Sequence, residues 1–530
     1  MDIQGKIKSF IIKNKEILFL IILATAARLV FLGLRPFDSD EGVVLKIAQQ
    51  KDIASLLSGV ARDVHPPLLH LFEYMALNTL KVSEFSARLP IALVSIVGII
   101  FVYLYFLKIS NKKTAFLTAL LSIFSATIAY HAADTRADTI LFTAFFIQLY
   151  CFENFREKYS WKYLVALILS TLLLLMSQYI GFLIIFAESL FVIYQLIRRR
   201  FVSGKKRTLL SVLFAFLVST ILFCGIWGNV FLRQLGGRFS EKTEISSKGD
   251  ALIGMINAAY RFSMGRLFLD LDLSISKNIA FLKSNPLIFL VFFLSLITSI
   301  YILILGLRIF FKNGYQKKIY YIFFIIAFLI VAGLISTEIG VRSSRYFQFL
   351  VPFCTFLIAL CLINAKKIRS QVMVIIFLVL YLSSFLNTIY FERIKPGADE
   401  IAKHITVNGN KGDLVLSVGG FGGNDFVLKY YLRDIDDEID VVDLYSRYSV
   451  GNYYEIIQQN PFLYIRDFLN KNTGSAVWLV SPDYSLDFSA LDTAEILVDS
   501  KISHTVFDLG KDKENKIIFL GKLYYENNSF

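Results

Sequence analysis

The chain has 530 residues, of which 56% are hydrophobic and only 18% are charged, and its formal net charge is +13. A soluble protein of this length needs more polar surface, so the composition excludes an ordinary soluble enzyme and indicates a membrane protein. The excess positive charge lies in short Lys/Arg clusters between apolar runs, a pattern that reports membrane topology and not nucleic-acid binding.

The N-terminal segment KIKSFIIKNK is basic, and an apolar run follows it over 17–34. No small-residue cleavage site is evident, so we expect an uncleaved first span. A bilayer core about 30 Å thick requires roughly twenty apolar residues per helix. The later runs of this kind are 89–107, 114–130, 139–155, 163–178, 181–197, 208–230, 286–307, 319–336, 346–364 and 371–390. Together they predict about eleven transmembrane helices.

The apolar stretch 163–197 is too long for one crossing, because a single helix would be about 52 Å long at 1.5 Å per residue. Both of its flanks are basic, with Arg156 and Lys162 before it and RRR at 198–200 after it. Two basic flanks on one side of the membrane require a hairpin, which we place at SQYIG, residues 177–181.

With that hairpin, the Lys/Arg clusters all fall on one side of the membrane, which the positive-inside rule assigns to the cytoplasm. The N-terminus is then cytoplasmic. The loops expected to face outward are 35–88, 131–138, 231–285 and 337–345. Since the predicted number of spans is odd, the tail from about residue 391 is expected outside as well.

The tail differs in pattern from the rest of the chain. Short β-type runs (DLVLSV, IDVV, AVWLVS and KIIFLGKLYY) alternate with helical patterns (NDFVLKYYLRD and YYEIIQQNPFLYIRDFLN). Such alternation predicts a small α/β domain. The expected fold is a polytopic α-helical membrane domain over 1–390, followed by an extracytoplasmic α/β domain over 391–530. The GGFGG stretch at 419–423 lacks a Walker lysine and dinucleotide spacing, so a tight turn is favoured over a nucleotide site.

Most candidate functional residues lie in the first outer loop, 35–88. It opens with RPFDSDEGVV, where three carboxylates stand at the exit from the membrane: Asp38, Asp40 and Glu41. RDVHPPLLH follows and carries His65, and its prolines fix an extended entry to LLHLFEYMALNTL, which we expect to be an amphipathic helix on the bilayer surface. EFSARLP then returns the chain to the membrane, with Arg88 at the border.

Two later outer loops add acids and arginines. YHAADTRADTI carries Asp134, Arg136 and Asp138, and STEIGVRSSRYFQFLVP carries Glu338, Arg342 and Arg345. Carboxylates at such a face accept a proton from a hydroxyl or hold a divalent cation. Arginines at headgroup level suit bidentate phosphate binding. For any one residue, a solvated acid or a snorkelling arginine is the alternative explanation.

Five elements occur in a recognisable order: the Asp-Glu pair after the first span, HPPL, the RLP entry to the second span, RxD opening the fourth, and RY…P in a late span. This set resembles GT-C-type, polyprenyl-phosphate-sugar-dependent glycosyltransferases, and it looks most like the bacterial group similar to dolichyl-phosphate-mannose protein mannosyltransferases and lipid A aminoarabinose transferases. The resemblance covers roughly 1–390. It implies inverting transfer of a sugar from a polyprenyl-phosphate donor to an acceptor hydroxyl, on the outer face of the plasma (inner) membrane.

The resemblance also implies roles for individual residues. Asp40 matches the first acid of the pair and is the expected general base, Glu41 is the second acid, and Asp138 is the acid of the second loop. The expected substrate contacts are His65, Arg88, Arg136, Arg345 and Tyr346. Asp38 is an additional acid outside the pattern. Metal dependence is left open, with Asp40 and Glu41 as the ligands if a divalent cation is used.

The expected partners are the lipid-linked donor, membrane lipids and an acceptor that is a glycolipid, an envelope glycan or a protein. A polytopic transporter or flippase of lipid-linked sugars is the alternative, but it would place ionisable residues near mid-bilayer beside broken helices. Here the acids gather outside, and Glu188 is the clearest charge within a span. A sensor whose tail binds a ligand is a third class. The sequence names neither the sugar, the polyprenol nor the acceptor.

Overall fold

The structure is a computed structural model. The residues that it describes are 14–30, 32–197, 203–240, 260, 263–264, 286–315, 322, 325–326, 344–391, 398–408, 412–417, 424–433, 440–443, 477–480, 502–511 and 517–525.

The part of the chain before the tail is helical wherever it has regular structure in the described residues. Its helices are α1 (Lys15–Leu29), α2 (Ser39–Ala48), α3 (Ile53–Val60), α4 (Leu68–Thr79), α5 (Glu84–Ile109), α6 (Lys112–Ile123), α7 (Ala126–His131), α8 (Asp138–Glu157), α9 (Trp161–Ser177), α10 (Ile180–Ile197), α11 (Ser203–Ser240), α12 (Pro286–Lys312), α13 (Val351–Asn364) and α14 (Ile368–Leu386). A 3₁₀ helix, Ser344–Leu350, precedes α13, and a π turn, Asn387–Phe391, follows α14.

Six of the described helical segments are long and apolar enough to cross a membrane. They are Glu84–Ile109, Ile180–Ile197, Lys206–Leu235, Phe289–Lys312, Phe347–Asn364 and Ile368–Ile389. The chain is therefore a multi-pass α-helical membrane protein, as its composition predicts. The count of about eleven spans stays a prediction. Among the described residues, the predicted runs 17–34, 114–130, 139–155 and 163–178 give no segment of this kind, and the run 319–336 lies almost wholly outside the described residues.

The hairpin predicted within 163–197 is confirmed, since α9 ends at Ser177 and α10 begins at Ile180. A side chain at Gly181 would not fit, because its Cβ would lie 2.8 Å from the carbonyl oxygen of Leu174. The amide of Gly181 donates to the carbonyl of Gln178 at 2.9 Å, which closes the turn. Glycine is therefore required by close packing at this position.

The span predicted over 114–130 is not one helix in the structure. Helix α6 ends at Ile123, and the extended residue Ser125 caps α7, its hydroxyl accepting from the Ile128 amide at 3.5 Å. The physical reason is the local preference of serine for a cap, which competes with continuation of the helix. A pattern of apolar residues alone does not reveal such a break.

Buried side chains satisfy the carbonyls at the end of α6. Arg28 of α1 is 1% exposed, and its Nη1 donates to the carbonyl of Ile123 at 3.0 Å. The hydroxyl of Tyr381 in α14 donates to the carbonyl of Leu121 at 2.7 Å. Because lipid offers no hydrogen bonds, a helix end inside a membrane protein needs partners of this kind.

By internal contacts, the chain divides into two compact units. The first comprises Met1–Leu32, Leu57–Phe72 and Arg88–Tyr390, and the second comprises Gly33–Leu56, Glu73–Ala87 and Phe391–Phe530. Much of the first outer loop thus groups with the tail. The division into domains at residue 390 stays a prediction.

Aromatic side chains from α5, α8 and α13 meet in the core of the first unit. Phe106 stacks on Phe356 with ring centroids 4.7 Å apart, and Phe146 stacks on Phe353 at 5.8 Å. All four side chains are buried or nearly so. Since lipid tails are as apolar as these rings, tight packing and not exclusion of water holds the helices together here.

In its described residues, the tail contributes a mixed sheet and two helices to the second unit. Its elements are α15 (Ala398–Asn408), β1 (Leu414–Ser417), α16 (Asn424–Leu432), β2 (Asp440–Asp443), β3 (Val477–Val480), β4 (Ile502–Lys511) and β5 (Ile517–Tyr525). The sheet order is β2-β1-β3-β5-β4, with β1 parallel to β2 and β3, and with β5 antiparallel to β3 and β4. Trp478 is buried at its centre and donates to Asp413 at 2.8 Å.

The predicted strands of the tail are confirmed as β1, β2, β3 and β5, and NDFVLKYYLRD forms α16. Strand β4 is an addition, because ISHTVFDLGK shows no clear alternation of polar and apolar residues. The helical pattern at 453–470 and the glycine-rich stretch at 419–423 lie outside the described residues.

Candidate functional site

The acid-rich stretch that opens the first outer loop is the start of α2. Asp38 is its N-cap and accepts from the Glu41 amide at 2.9 Å, while Glu41 Oε2 accepts from the Asp38 amide at 3.2 Å. This reciprocal capping box satisfies two amides that the helix itself leaves unpaired. Asp40 and Glu41 lie in the first turn, where the helix dipole favours negative charge. The spacing Asp-x-x-Glu is the sequence signal for this cap.

A buried arginine holds the same turn from the side. Arg35 Nη2 lies 2.9 Å from Glu41 Oε2, and its Nη1 lies 3.5 Å from Asp38 Oδ2. The guanidinium is 4% exposed and the carboxylate of Glu41 is fully buried. Asp40 is half-buried and stands outside the capping box. Asp38 and Glu41 therefore order this part of the loop, and Asp40 lies in the turn that they fix.

Glu73 of α4 is a buried acid that the sequence does not single out. Its side chain is 0% exposed, and neither carboxyl oxygen has a hydrogen-bond partner among the described residues. Burial raises the pKa of Glu73 well above its ordinary value, and the charge of Glu41 raises it further. Burial and the nearby carboxylate of Glu41 therefore both favour the protonated form of Glu73.

In the first unit, His65 is oriented by a carboxylate. Its Nδ1 lies 3.1 Å from Asp63 Oδ2, and Nε2 of His70 lies 3.7 Å from the same oxygen. Burial opposes the charge on Asp63, but the hydrogen bond and charge of His65 outweigh it and hold the pKa of Asp63 at about 2. Burial lowers the pKa of His70 to about 4, so this imidazole is neutral at neutral pH. Of Asp63, His65 and His70, the sequence analysis singles out only His65.

The second outer loop brings its acids to different partners. Asp134 is buried and lies 2.9 Å from Nε of Arg136. Asp138 is the first residue of α8, and its Oδ1 accepts from Nε2 of Gln178 at 2.7 Å. Gln178 lies in the turn between α9 and α10. The hairpin therefore supplies a partner for the candidate acid, which the sequence does not indicate.

The remaining predicted contacts fall in different places. Arg88 is fully buried, and its Nη1 donates to the carbonyl of Leu32 at 3.2 Å, just beyond α1. Arg345 and Tyr346 lie in the 3₁₀ helix Ser344–Leu350, and their side chains are outside the described residues. The roles of all three in substrate binding stay predictions. Glu338 and Arg342 also lie outside the described residues.

Comparison with protein families finds one match, over residues 64–224, to the family described as dolichyl-phosphate-mannose-protein mannosyltransferase. This match confirms the resemblance to glycosyltransferases inferred from the motifs. The matched range includes HPPL, RLP and RxD, and it begins after the Asp-Glu pair at residues 40 and 41. Comparison with curated proteins finds no match.

Solved structures similar to this chain include ArnT from Cupriavidus metallidurans bound to undecaprenyl phosphate, at 13% identity and TM-score 0.48, with 97% of this chain and 99% of that chain covered. They also include the Archaeoglobus fulgidus oligosaccharyltransferase tethered to an acceptor peptide, at 12% identity and TM-score 0.49, with 96% and 74% covered.

Proposed function

We propose that this chain is a membrane glycosyltransferase that moves a sugar from a polyprenyl-phosphate donor to an acceptor hydroxyl on the outer face of the plasma membrane. The family match over 64–224 supports the reaction class. The observation that carries the proposal is the start of α2, where a capping box and a buried arginine fix the turn that holds Asp40. A proton acceptor needs such fixed geometry.

In the proposed reaction, Asp40 is the general base. The acceptor hydroxyl attacks C1 of the sugar from the face opposite the phosphate, and Asp40 takes the hydroxyl proton. The new C1–O bond forms as the bond from C1 to the phosphate oxygen breaks, so the configuration at C1 inverts. The polyprenyl phosphate leaves with its electron pair and needs no protonation by a second acid.

The charge of the leaving phosphate calls for cationic partners near the headgroups. Arg136 and Arg345 are our candidates, since a guanidinium binds phosphate in a bidentate manner. His65 is a further contact, because Asp63 engages Nδ1 and leaves Nε2 for the substrate. Glu41, the second acid of the pair, has a supporting role through its contact with Arg35, and Asp138 is the candidate acid of the second outer loop. No step in this scheme is assigned to a metal.

The sidedness of the site is also part of the proposal. Residues 33–56 and the tail belong to the same compact unit, which supports an active site and a tail on one side of the membrane. The basic clusters of the other loops assign that side to the exterior. A phosphate anchored by a polyprenol stays at the interface, so the base has to be placed there too.

A transporter of lipid-linked sugars is less well supported. Glu188 is fully buried between helices, as a transporter's coupling residue would be, but it accepts from Nε2 of Gln148 at 2.7 Å. An interhelical hydrogen bond of this kind accounts for a polar residue in a span without any transport function.

The test uses purified protein with undecaprenyl-phosphate mannose as donor and measures release of undecaprenyl phosphate and transfer of mannose. Asp40→Asn keeps the size of the side chain but cannot take a proton, so the rate should fall by about 10²–10⁴ while donor binding persists. Asp38→Asn is the matched control, because asparagine is as good an N-cap as aspartate.

Two results would overturn the proposal. In the first, folded Asp40→Asn transfers mannose at the wild-type rate. In the second, wild-type protein in vesicles moves undecaprenyl-phosphate mannose across the bilayer and releases no undecaprenyl phosphate.

A further inference from the structure

Helix α16 of the tail packs against the first outer loop within the second unit. Phe37, which immediately precedes the N-cap Asp38, is 3% exposed and lies in one hydrophobic cluster with Val427 of α16. The ring of Phe37 meets that of Tyr430 edge to face, with centroids 5.1 Å apart. The start of the acid-bearing loop is therefore buried on the tail.

Hydrogen bonds join the same elements. The hydroxyl of Tyr431 accepts from the Phe37 amide at 2.9 Å and donates to Glu84 Oε1 at 2.7 Å. The hydroxyl of Tyr430 donates to Glu84 Oε2 at 3.1 Å. Glu84 is the first residue of α5, where the outer loop ends. We call Phe37, Glu84, Tyr430 and Tyr431 the tyrosine clamp.

The clamp spans the two ends of the first outer loop. Phe37 lies one residue before the N-cap Asp38, so the position of its backbone constrains the first turn of α2. The Phe37 amide is not part of α2, and Tyr431 supplies its hydrogen bond from the tail. Displacement of a catalytic group by about 1 Å can reduce a rate by about 10²-fold.

We infer that Tyr431 is a positioning residue and that the tail holds the acid-bearing loop in its catalytic geometry through the tyrosine clamp. The catalytic part of this inference rests on the proposed function. It gives the tail a task in the reaction: its described residues supply no candidate base, yet the base depends on them for its position.

The test is Tyr431→Phe, which removes one hydroxyl and keeps the ring in its cluster. Hydrogen exchange of full-length protein should be faster by about five- to tenfold at the Phe37 amide, as expected for loss of a hydrogen bond worth about 1 kcal/mol. Release of undecaprenyl phosphate from undecaprenyl-phosphate mannose should show a kcat lower by about tenfold with KM unchanged. Lys429→Ala, at an exposed position of the same helix, is the matched control.

Glu84→Gln provides a second variant, because an amide offers only one acceptor oxygen to the two tyrosines. If the clamp acts as a unit, the double variant Tyr431→Phe/Glu84→Gln should be hardly slower than the worse single variant. Independent, additive losses would contradict a clamp.

The outcomes separate this inference from the proposed function. Faster exchange with unchanged kcat would reduce the clamp to a structural contact and overturn the positioning role. Exchange equal to that of Lys429→Ala would overturn the clamp itself. Faster exchange at the Phe37 amide, together with a rate of release that Asp40→Asn does not lower, would leave the clamp standing and overturn the proposed function.

Discussion

Four acids around the start of α2 look alike in sequence and do different work in the structure. Asp38 caps the helix, Glu41 pairs with Arg35, and Glu73 is buried without a hydrogen-bond partner among the described residues. Asp40 is the half-buried acid of the first turn. The local environment therefore gives these four carboxyl groups different hydrogen-bond partners and different degrees of burial.

Glu73 gives a prediction about pH. Burial, and then the charge of Glu41, raise its pKa in the folded state, so the folded protein keeps this proton to a higher pH than the unfolded chain does. The stability from this group is complete below the ordinary glutamate pKa and is lost as pH rises toward the raised value. Glu73→Gln mimics the protonated acid at every pH. The melting temperature of this variant minus that of the wild-type protein should therefore increase from pH 5 to pH 8.

Thermal unfolding in detergent at pH 5, 6.5 and 8 measures this trend. Glu157→Gln, at an exposed acid, serves as the control and should give a difference that does not change with pH. A constant difference for Glu73→Gln would mean that Glu73 is ionised in the folded protein.

At the scale of elements, the turn between α9 and α10 is hydrogen-bonded to two segments that carry candidate site residues. Gln178 bonds Asp138, and the next residue, Tyr179, donates its hydroxyl to Gln234 of α11. The amide nitrogen of Gln234 in turn donates to the carbonyls of Val60 at 3.0 Å and Asp63 at 2.6 Å. One short turn thus orders both Asp138 and the segment that carries the Asp63–His65 pair.

We therefore predict that Gln178→Leu lowers the transfer rate by about tenfold, because a hydrogen bond to the carboxylate of Asp138 is lost. Donor affinity should change little. Ser177→Ala is the control, since the Ser177 hydroxyl donates only to the carbonyl of Leu174 one turn earlier. Equal rates for Gln178→Leu and Ser177→Ala would show that the hydrogen bond does not matter for the reaction.

For the whole molecule, the prediction concerns topology. The basic loops predict a cytoplasmic N-terminus, and the second unit joins residues 35–56 and 73–87 of the first outer loop to the tail. Reporters fused after residue 395 and after residue 530 should be active only if they are of a type that works outside the cytoplasm. Activity of a cytoplasmic reporter at either position would place the acid-bearing loop on the wrong face for the proposed reaction.

What the sequence by itself determined is local. Apolar length and basic flanks are properties of neighbouring residues, and they predicted the hairpin at 177–181, the membrane class and the acids at the first exit. Alternating patterns in the tail likewise predicted four strands and α16, since each strand reflects the preferences of its own residues.

Only the tertiary structure decided which side chains meet. Glu84 bonds Tyr431, at a separation of 347 residues, and Gln178 bonds Asp138, at a separation of 40. Such pairs depend on how helices and strands pack, and a single sequence carries no local signal for them. The same holds for Glu73, whose raised pKa follows from burial and from a charge supplied by a different helix. The sequence indicated which chemistry to look for, and packing assigned each residue its partner.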